Sequence, residues 1–238
     1  MSAADAKRLT IAEADRAVTA LVDRLAGAGL LPAGSEFDAG AFHTLRSRVW
    51  DAFHVPQTSI SPVMARLMFA IGDCTRARRV LVVGSYYGNT LVWLAGRALL
   101  EGGADRLVGA DVDPDACAGA EQNFARLGGR APVCIESCDG RDVLPSDEWD
   151  LLLLDADCPH TRKAIYLPLL HAALPHMAPA ATVLAHDTAL PAFAEQLAGY
   201  KHAVGDRDVF AGSAHLAVDP CGLELSRVGR PTTTTPRS

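Results

Sequence analysis

The sequence predicts an α/β fold: an open, mostly parallel sheet with helices on both faces, a terminal antiparallel hairpin, and helices preceding the first strand. Three observations lead there. From Val80 onward, short apolar runs rich in β-branched residues alternate with segments of helical period, the pattern of a parallel sheet covered on both sides. The runs are apolar at successive positions, as strands buried on both faces must be. The first of them ends in the glycine loop of VLVVGSYYGNT, residues 80–90, which reads as strand, tight turn and helix start.

Composition bounds the possibilities. The 238 residues suit one large core, and 49% hydrophobic content with a net charge of −6 describes a globular, mildly acidic chain. There is no basic stripe to neutralise phosphates, so nucleic acid is not an expected partner. No uncharged apolar stretch approaches membrane-spanning length and the first residues carry no leader pattern, so the expectation is a cytoplasmic protein with no membrane partner. Six scattered cysteines with no C-x-x-C pair read as reduced thiols.

Three helices are expected first. Val18, Leu21, Val22 and Leu25 repeat at helical spacing within residues 5–31, and Gly27, Gly29 and Pro32 end the pattern. Phe42, Leu45, Val49, Trp50 and Phe53 form the inner face of a second helix. Ser61 and Pro62 start a third, whose inner face is Met64, Leu67, Met68 and Ile71. Between the last two, HVPQTSIS (residues 54–61) is either a cover for the mouth of a ligand site or an ordinary connector.

The strands expected next are Val80 to Val83, Leu107 to Ala110, Val133 to Ile135, Leu151 to Leu154 and Thr182 to Ala185. A helix follows Asp113-Pro114 and closes at Gly128-Gly129, and another follows Thr161. The runs at Val209-Phe210, His215 to Val218 and Leu223 to Val228 predict the closing hairpin. The division expected is an N-terminal helical segment (1–75) serving as lid or dimerisation element, a sheet domain (76–230) and a disordered tail (231–238).

In an open α/β sheet a ligand sits beyond the carboxyl ends of the strands, and the residues that follow these strands are polar or glycine. They are GSYYGN, Asp111-Val112-Asp113, Ser137-Cys138-Asp139-Gly140, Asp155-Ala156-Asp157 and His186-Asp187-Thr188. Free N–H groups of the glycine loop are expected to face the ligand. Where a dinucleotide fingerprint needs its second glycine, this chain has Tyr86, which excludes a pyrophosphate but admits a small carboxylate with a purine nucleoside. Asp111, ending the second strand, is the expected ribose ligand.

VLVVGSYYGNTLVWLA, VGADVDPDACAGAEQNF, DLLLLDADCPH and TVLAHDT together resemble the successive motifs of class I S-adenosylmethionine-dependent methyltransferases. Over residues 55–228 the branch resembled is that of the catechol and caffeoyl-coenzyme A O-methyltransferases, which implies a Rossmann-like sheet. The resemblance implies that Gly84, Tyr86, Gly88 and Thr90 surround the methionine part of S-adenosyl-L-methionine, with Ser85 and Asn89 in the same loop. Asp111 and Val112 would lie at the ribose, and Asp139, Gly140 and Ala156 along the adenine, with Asp155 also beside the cofactor. In that branch two acids and an asparagine bind a divalent metal, and the matching positions are Asp155, Asp187 and Thr188. Magnesium or calcium would suit the carboxylates, but threonine replaces the asparagine poorly.

The branch also places a lysine three residues after the first acid, as the base for the substrate hydroxyl. This chain has Cys158 there, followed by Pro159 and a longer loop that brings His160, Arg162 and Lys163. The catalytic candidates are therefore Asp155, His160 by location, and Lys163, for which a solvated surface lysine is the competing reading. His186 and Asp187, adjacent at a strand end, are expected to point to opposite faces. The expected function is methyl transfer to an oxygen, or a nitrogen, of a small-molecule acceptor by a homodimer. Transfer or cyclisation of the cofactor's aminocarboxypropyl arm, and cofactor binding without catalysis, are the alternatives.

Overall fold

The computed structural model describes residues 9–57 and 60–229. The expectations for residues 231–238 and for Thr58 and Ser59 of the covering loop lie outside the described residues.

Helices α1 (Ile11–Gly27), α2 (Ala39–Ala52) and α3 (Pro62–Thr75) begin at the side-chain caps Thr10, Asp38 and Ser61. Thr10 and Glu13 form a reciprocal capping box, and Ser61 is followed by proline at the first helical position, where a missing N–H costs nothing. A partly buried polar cluster ties the three together. Arg66 of α3 donates through Nε to Asp15 Oδ1 of α1 at 2.6 Å, and His43 Nε2 of α2 lies 2.8 Å from Asp15 Oδ2. Trp50 differs from expectation: it is 80% exposed. It directly follows the buried Val49 and so stands about 100° around the helix from the inner face.

Seven strands make one sheet in the order β3-β2-β1-β4-β5-β7-β6. They are β1 (Arg79–Val83), β2 (Arg106–Asp111), β3 (Val133–Ser137), β4 (Trp149–Leu154), β5 (Met177–His186), β6 (Phe210–Leu216) and β7 (Leu223–Val228). The first five are parallel, and β7 runs antiparallel to both β5 and β6, so the sheet is Rossmann-like with the expected closing hairpin. Strand order reverses between β1 and β4, which opens a crevice at their carboxyl ends.

Alternate strand residues feed two cores. Val80, Val82, Leu151 and Leu153 join α1, α2 and α3 in one cluster, which also takes in α4 (Asn89–Leu94) and α5 (Gly96–Glu101). Leu81, Val83, Leu152 and Leu154 face the other way, onto α8 (Tyr166–Ala173) and α9 (Ala198–Val204). This two-sided burial is why the strands read as unbroken apolar runs. The remaining helices are α6 (Pro114–Leu127) and the single turn α7 (Gly140–Val143). Among the described residues no helix is long and apolar enough to cross a membrane.

Candidate functional site

A cleft of about 580 Å³ lies over the carboxyl ends of β1, β2, β4 and β5. It is lined by Gly84, Tyr86, Asp111, Val112, Asp139, Gly140, Asp155, Ala156, Lys163 and Asp187, among others. The volume suits a nucleoside-sized ligand.

Gly84 sets the floor. Its φ is +84°, and a Cβ there would come within 2.4 Å of the Ala156 backbone nitrogen, so only glycine lets the loops after β1 and β4 approach this closely. Gly88 opens the next helix, as the strand, turn and helix-start reading expects. It is absent from the cleft lining, and its φ of +81° turns the chain into α4 while its Cα packs beside the Phe124 ring. Four of the loop N–H groups expected to face the ligand are instead committed within the chain. Those of Gly84 and Ser85 donate to Ala110 O, that of Gly88 donates to Ser85 O, and that of Tyr86 donates to Asp111 Oδ2 at 2.7 Å.

Asp111 also accepts from the Asp113 N–H at 3.0 Å. Two backbone donors thus fix the carboxylate at the cleft wall, and its remaining lone pairs are available to a ligand's hydroxyls. Tyr86 adopts φ +48° and holds its ring at the mouth, edge-on to Tyr87. Asp139 is less directed, its carboxylate being paired with Arg141 at 2.6 Å on the rim.

Behind the loop a smaller cavity of about 70 Å³ is lined by Val55, Gln57, Ile60, Gly84, Ser85, Tyr86, Asn89, Thr90 and Asp155. The hydroxyls of Ser85 and Thr90 are buried with no hydrogen-bond partner, that of Ser85 against Gly109 of β2. The fit to an S-adenosylmethionine-like ligand is carried by Gly84, where a Cβ would strike the loop after β4, and by the Asp111 carboxylate, fixed at the cleft wall with lone pairs to spare.

The other half of the cleft holds buried charge. Lys163 Nζ lies 2.9 Å from Asp187 Oδ2 and 3.5 Å from Asp155 Oδ1, and it donates to Tyr166 Oη at 3.0 Å. Its side chain is 2% exposed, so the reading as a solvated surface lysine is corrected. The loop explains the difference: residues 158 and 162 pair as an antiparallel bridge, with the Arg162 N–H donating to Cys158 O at 2.7 Å. Folding the loop back on itself returns Lys163 to Asp155, eight positions earlier. The same fold puts His160 at the exposed tip, outside the cleft lining, which corrects its placement as the base nearest the site.

His186 and Asp187 do not point to opposite faces. His186 Nδ1 lies 3.2 Å from Asp155 Oδ1 and 3.4 Å from Asp187 Oδ1. Asp187 takes φ +62°, so strand alternation stops at His186 and the two side chains converge. Thr188 is carried away instead, its Oγ1 3.3 Å from His215 Nδ1 of β6. Burial works against a charged His186, but the Asp155 and Asp187 carboxylates outweigh it and raise its pKa. Burial likewise favours the neutral Asp187, yet His186 and Lys163 overcome it and hold this carboxyl below its usual range. Cys221, beside Asp187, is pushed up to about 12 by burial and by the neighbouring carboxylates. With Thr188 turned off, an ammonium against both acids, and nitrogen and sulfur as the next donors, the set does not fit magnesium or calcium.

Asn123 is the residue that sequence reasoning missed. Fully buried on α6, it accepts from the His54 N–H at 2.9 Å and donates to His54 O and Tyr87 O, both at 3.0 Å. It thereby clamps the start of the 54–61 loop against the glycine loop. Its only sequence signal is a polar residue on the apolar stripe of α6, between Ala120 and Leu127.

A family model described as a methyltransferase domain matches residues 81–188. A catechol O-methyltransferase of Niastella koreensis is 30% identical over 111 residues, 44% of this chain and 49% of that protein. The match thus spans about half the length of that relative. Among solved structures, the Bacillus cereus O-methyltransferase in complex with SAH superposes with a TM-score of 0.58 at 19% identity, covering 90% of this chain and 99% of that one. The O-methyltransferase TomG of Streptomyces achromogenes, in complex with SAM, gives 0.59 at 19% identity over 90% and 98%. At such identity the structural likeness speaks for the fold.

Proposed function

We propose that this chain, whose residues 81–188 form a methyltransferase domain of the class I fold, transfers a methyl group from S-adenosylmethionine to an oxygen of a small-molecule acceptor. One observation carries the reading. A single cleft joins Gly84, Tyr86 and the Asp111 carboxylate, on one side, to the Asp155, Lys163 and Asp187 group on the other.

Asp111 holds the ribose hydroxyls, and Val112, Asp139, Gly140 and Ala156 border the base. Ser85, Tyr86, Asn89 and Thr90, which line the small cavity behind the loop, would border the amino-acid end. When bound, S-adenosylmethionine supplies an electrophilic methyl on a sulfonium. The protein's task is alignment: a nucleophile held about 3 Å from the methyl carbon, with water excluded, accounts for much of the acceleration such a displacement needs. Lys163 donates to the acceptor oxygen from within the cleft wall. Asn123, by holding His54, keeps the adjoining Val55 and Gln57 at the small cavity. A homodimer is the assembly proposed, with the exposed Trp50 of α2 as the apolar residue it would cover.

The test is product analysis. Incubation with S-adenosylmethionine and a panel of phenols and carboxylic acids is expected to yield a methylated acceptor and S-adenosylhomocysteine in equal amounts. Methylthioadenosine without a methylated product would overturn the reading in favour of chemistry at the aminocarboxypropyl arm.

A further inference from the structure

We infer that the Lys163 ammonium occupies the place a divalent cation would take between Asp155 and Asp187, so that this centre receives an already ionised acceptor oxygen without metal. The word acceptor rests on the methyl-transfer reading, but the geometry does not.

A cation bridging the two acids would need oxygens at about 2.0–2.6 Å. Nζ of Lys163 already lies 2.9 Å from Asp187 Oδ2 and 3.5 Å from Asp155 Oδ1, in the space such an ion would need. The ammonium is not free to swing aside. Its side chain is 2% exposed, Tyr166 Oη accepts from it at 3.0 Å, and the Tyr166 and Phe193 rings stand 5.2 and 5.8 Å from Nζ. Tyr166 is itself fixed, since its hydroxyl donates to His186 O at 3.3 Å and its lone pairs are left for the lysine.

The rest of the donor set points the same way. A hard cation wants a third oxygen ligand, but the Thr188 hydroxyl is turned to His215 on the hairpin. The groups that do stand beside Asp187 are His186 and Cys221, whose ligand atoms lie with its own within 4.8 Å of one another. A nitrogen, sulfur and oxygen set of that kind suits zinc rather than magnesium or calcium, which makes zinc the competing occupant.

The substrate class follows from the lysine's remaining capacity. An ammonium has three N–H groups, and here two are committed to Asp187 and Tyr166 at short distance. The third N–H is shared between the Asp155 carbonyl at 3.4 Å and its carboxylate at 3.5 Å, the longest contacts the ammonium makes and so the ones an incoming oxygen displaces. Lys163 lines the cleft, so that oxygen can reach it. A positively charged donor favours a carboxylate or the anion of an acidic phenol over a neutral alcohol. Acceptors of these two kinds arrive ionised near neutral pH, where an ordinary phenol of pKa about 10 does not, and need neither a metal nor a base to become nucleophilic.

The experiment is a calorimetric titration of the full chain, saturated with S-adenosylhomocysteine, with magnesium, calcium and zinc chlorides in separate runs. The wild type is expected to take up none of the three at up to millimolar concentration. Lys163→Ala, which leaves two facing carboxylates without their cation, is expected to gain binding of a divalent ion at least tenfold tighter, zinc ahead of magnesium and calcium, and Lys163→Arg is expected to gain none. Wild-type binding of any of these ions that disappears in Asp187→Asn would overturn the proposal. So would a Lys163→Ala variant that still binds S-adenosylhomocysteine but gains no metal affinity. If Lys163→Ala does not fold, the wild-type and Asp187→Asn titrations decide alone. The S-adenosylhomocysteine heat, recorded first in the same cell, separates failure of the cofactor reading from failure of this one. Methylation of a carboxylate or acidic phenol that persists in saturating chelator supports the proposal, and methylation that requires added magnesium contradicts it.

Discussion

The β1–β2 side of the cleft and its β4–β5 side are held in place by different means. On the first, position comes from backbone: Gly84 lets two loops touch, Ala110 O accepts from two loop N–H groups, and Asp111 is fixed by the N–H groups of Tyr86 and Asp113. On the second, position comes from buried charge, with Asp155, Lys163, His186 and Asp187 packed within hydrogen-bonding reach of one another. The difference predicts separate sensitivities: the first side to steric change, the second to pH and to loss of one partner.

The largest expected effect breaks the first side. In Gly84→Ala the new Cβ meets backbone at 2.4 Å in a left-handed conformation, so chemical denaturation should show a loss of roughly 3 kcal/mol or more. A loss under about 1 kcal/mol would mean that the two loops separate easily and that backbone contact does not set the site.

A smaller effect is expected where the two means meet. Asn123→Ala removes the partners of His54 N–H, His54 O and Tyr87 O, and leaving buried polar groups unpaired costs about 1–3 kcal/mol. Limited proteolysis should then cut within residues 54–61 faster than in the wild type. Unchanged cleavage would assign the seating of that loop to other contacts.

The smallest effect sharpens the second side through pH. His186 has a raised pKa in the folded chain, so its stabilisation is present in full below about pH 6.5 and is lost as pH rises through the folded-state value. Asp187, with a depressed pKa, contributes above about pH 3.9 and loses that contribution as pH falls through its folded value. Thermal melts should therefore decline from pH 6.5 upward in the wild type and be flatter in His186→Gln. Parallel curves for the two proteins would show that the imidazole does not take part in the charge cluster.

The same contrast decides what was legible in the sequence. Strand runs, helix caps and the glycine loop are local signals, and Ser61, Asp111 and the Leu223–Val228 hairpin strand are found where local chemistry puts them. The charged half was not legible because two backbone events rearrange it. The Cys158–Arg162 bridge brings a lysine eight residues away back to Asp155, and the left-handed Asp187 cancels the alternation that separates it from His186. Pro159 marks a turn in the first event without specifying which residues pair, and the second has no glycine at Asp187 to announce it. Trp50 shows the limit of periodicity in another way, since one step around α2 separates a core position from an exposed one.

The central claim is that Asp111 and the loop after β1 form the S-adenosylmethionine site, and the most direct measurement is calorimetric titration of S-adenosylhomocysteine into wild type and Asp111→Ala. The account predicts binding at about −8 kcal/mol, a dissociation constant near one micromolar, for the wild type. Loss of a carboxylate that accepts from the ribose should weaken the variant by about 1.5–3 kcal/mol, tenfold or more. Equal affinities for the two proteins, or no binding to either while both are folded, would contradict it.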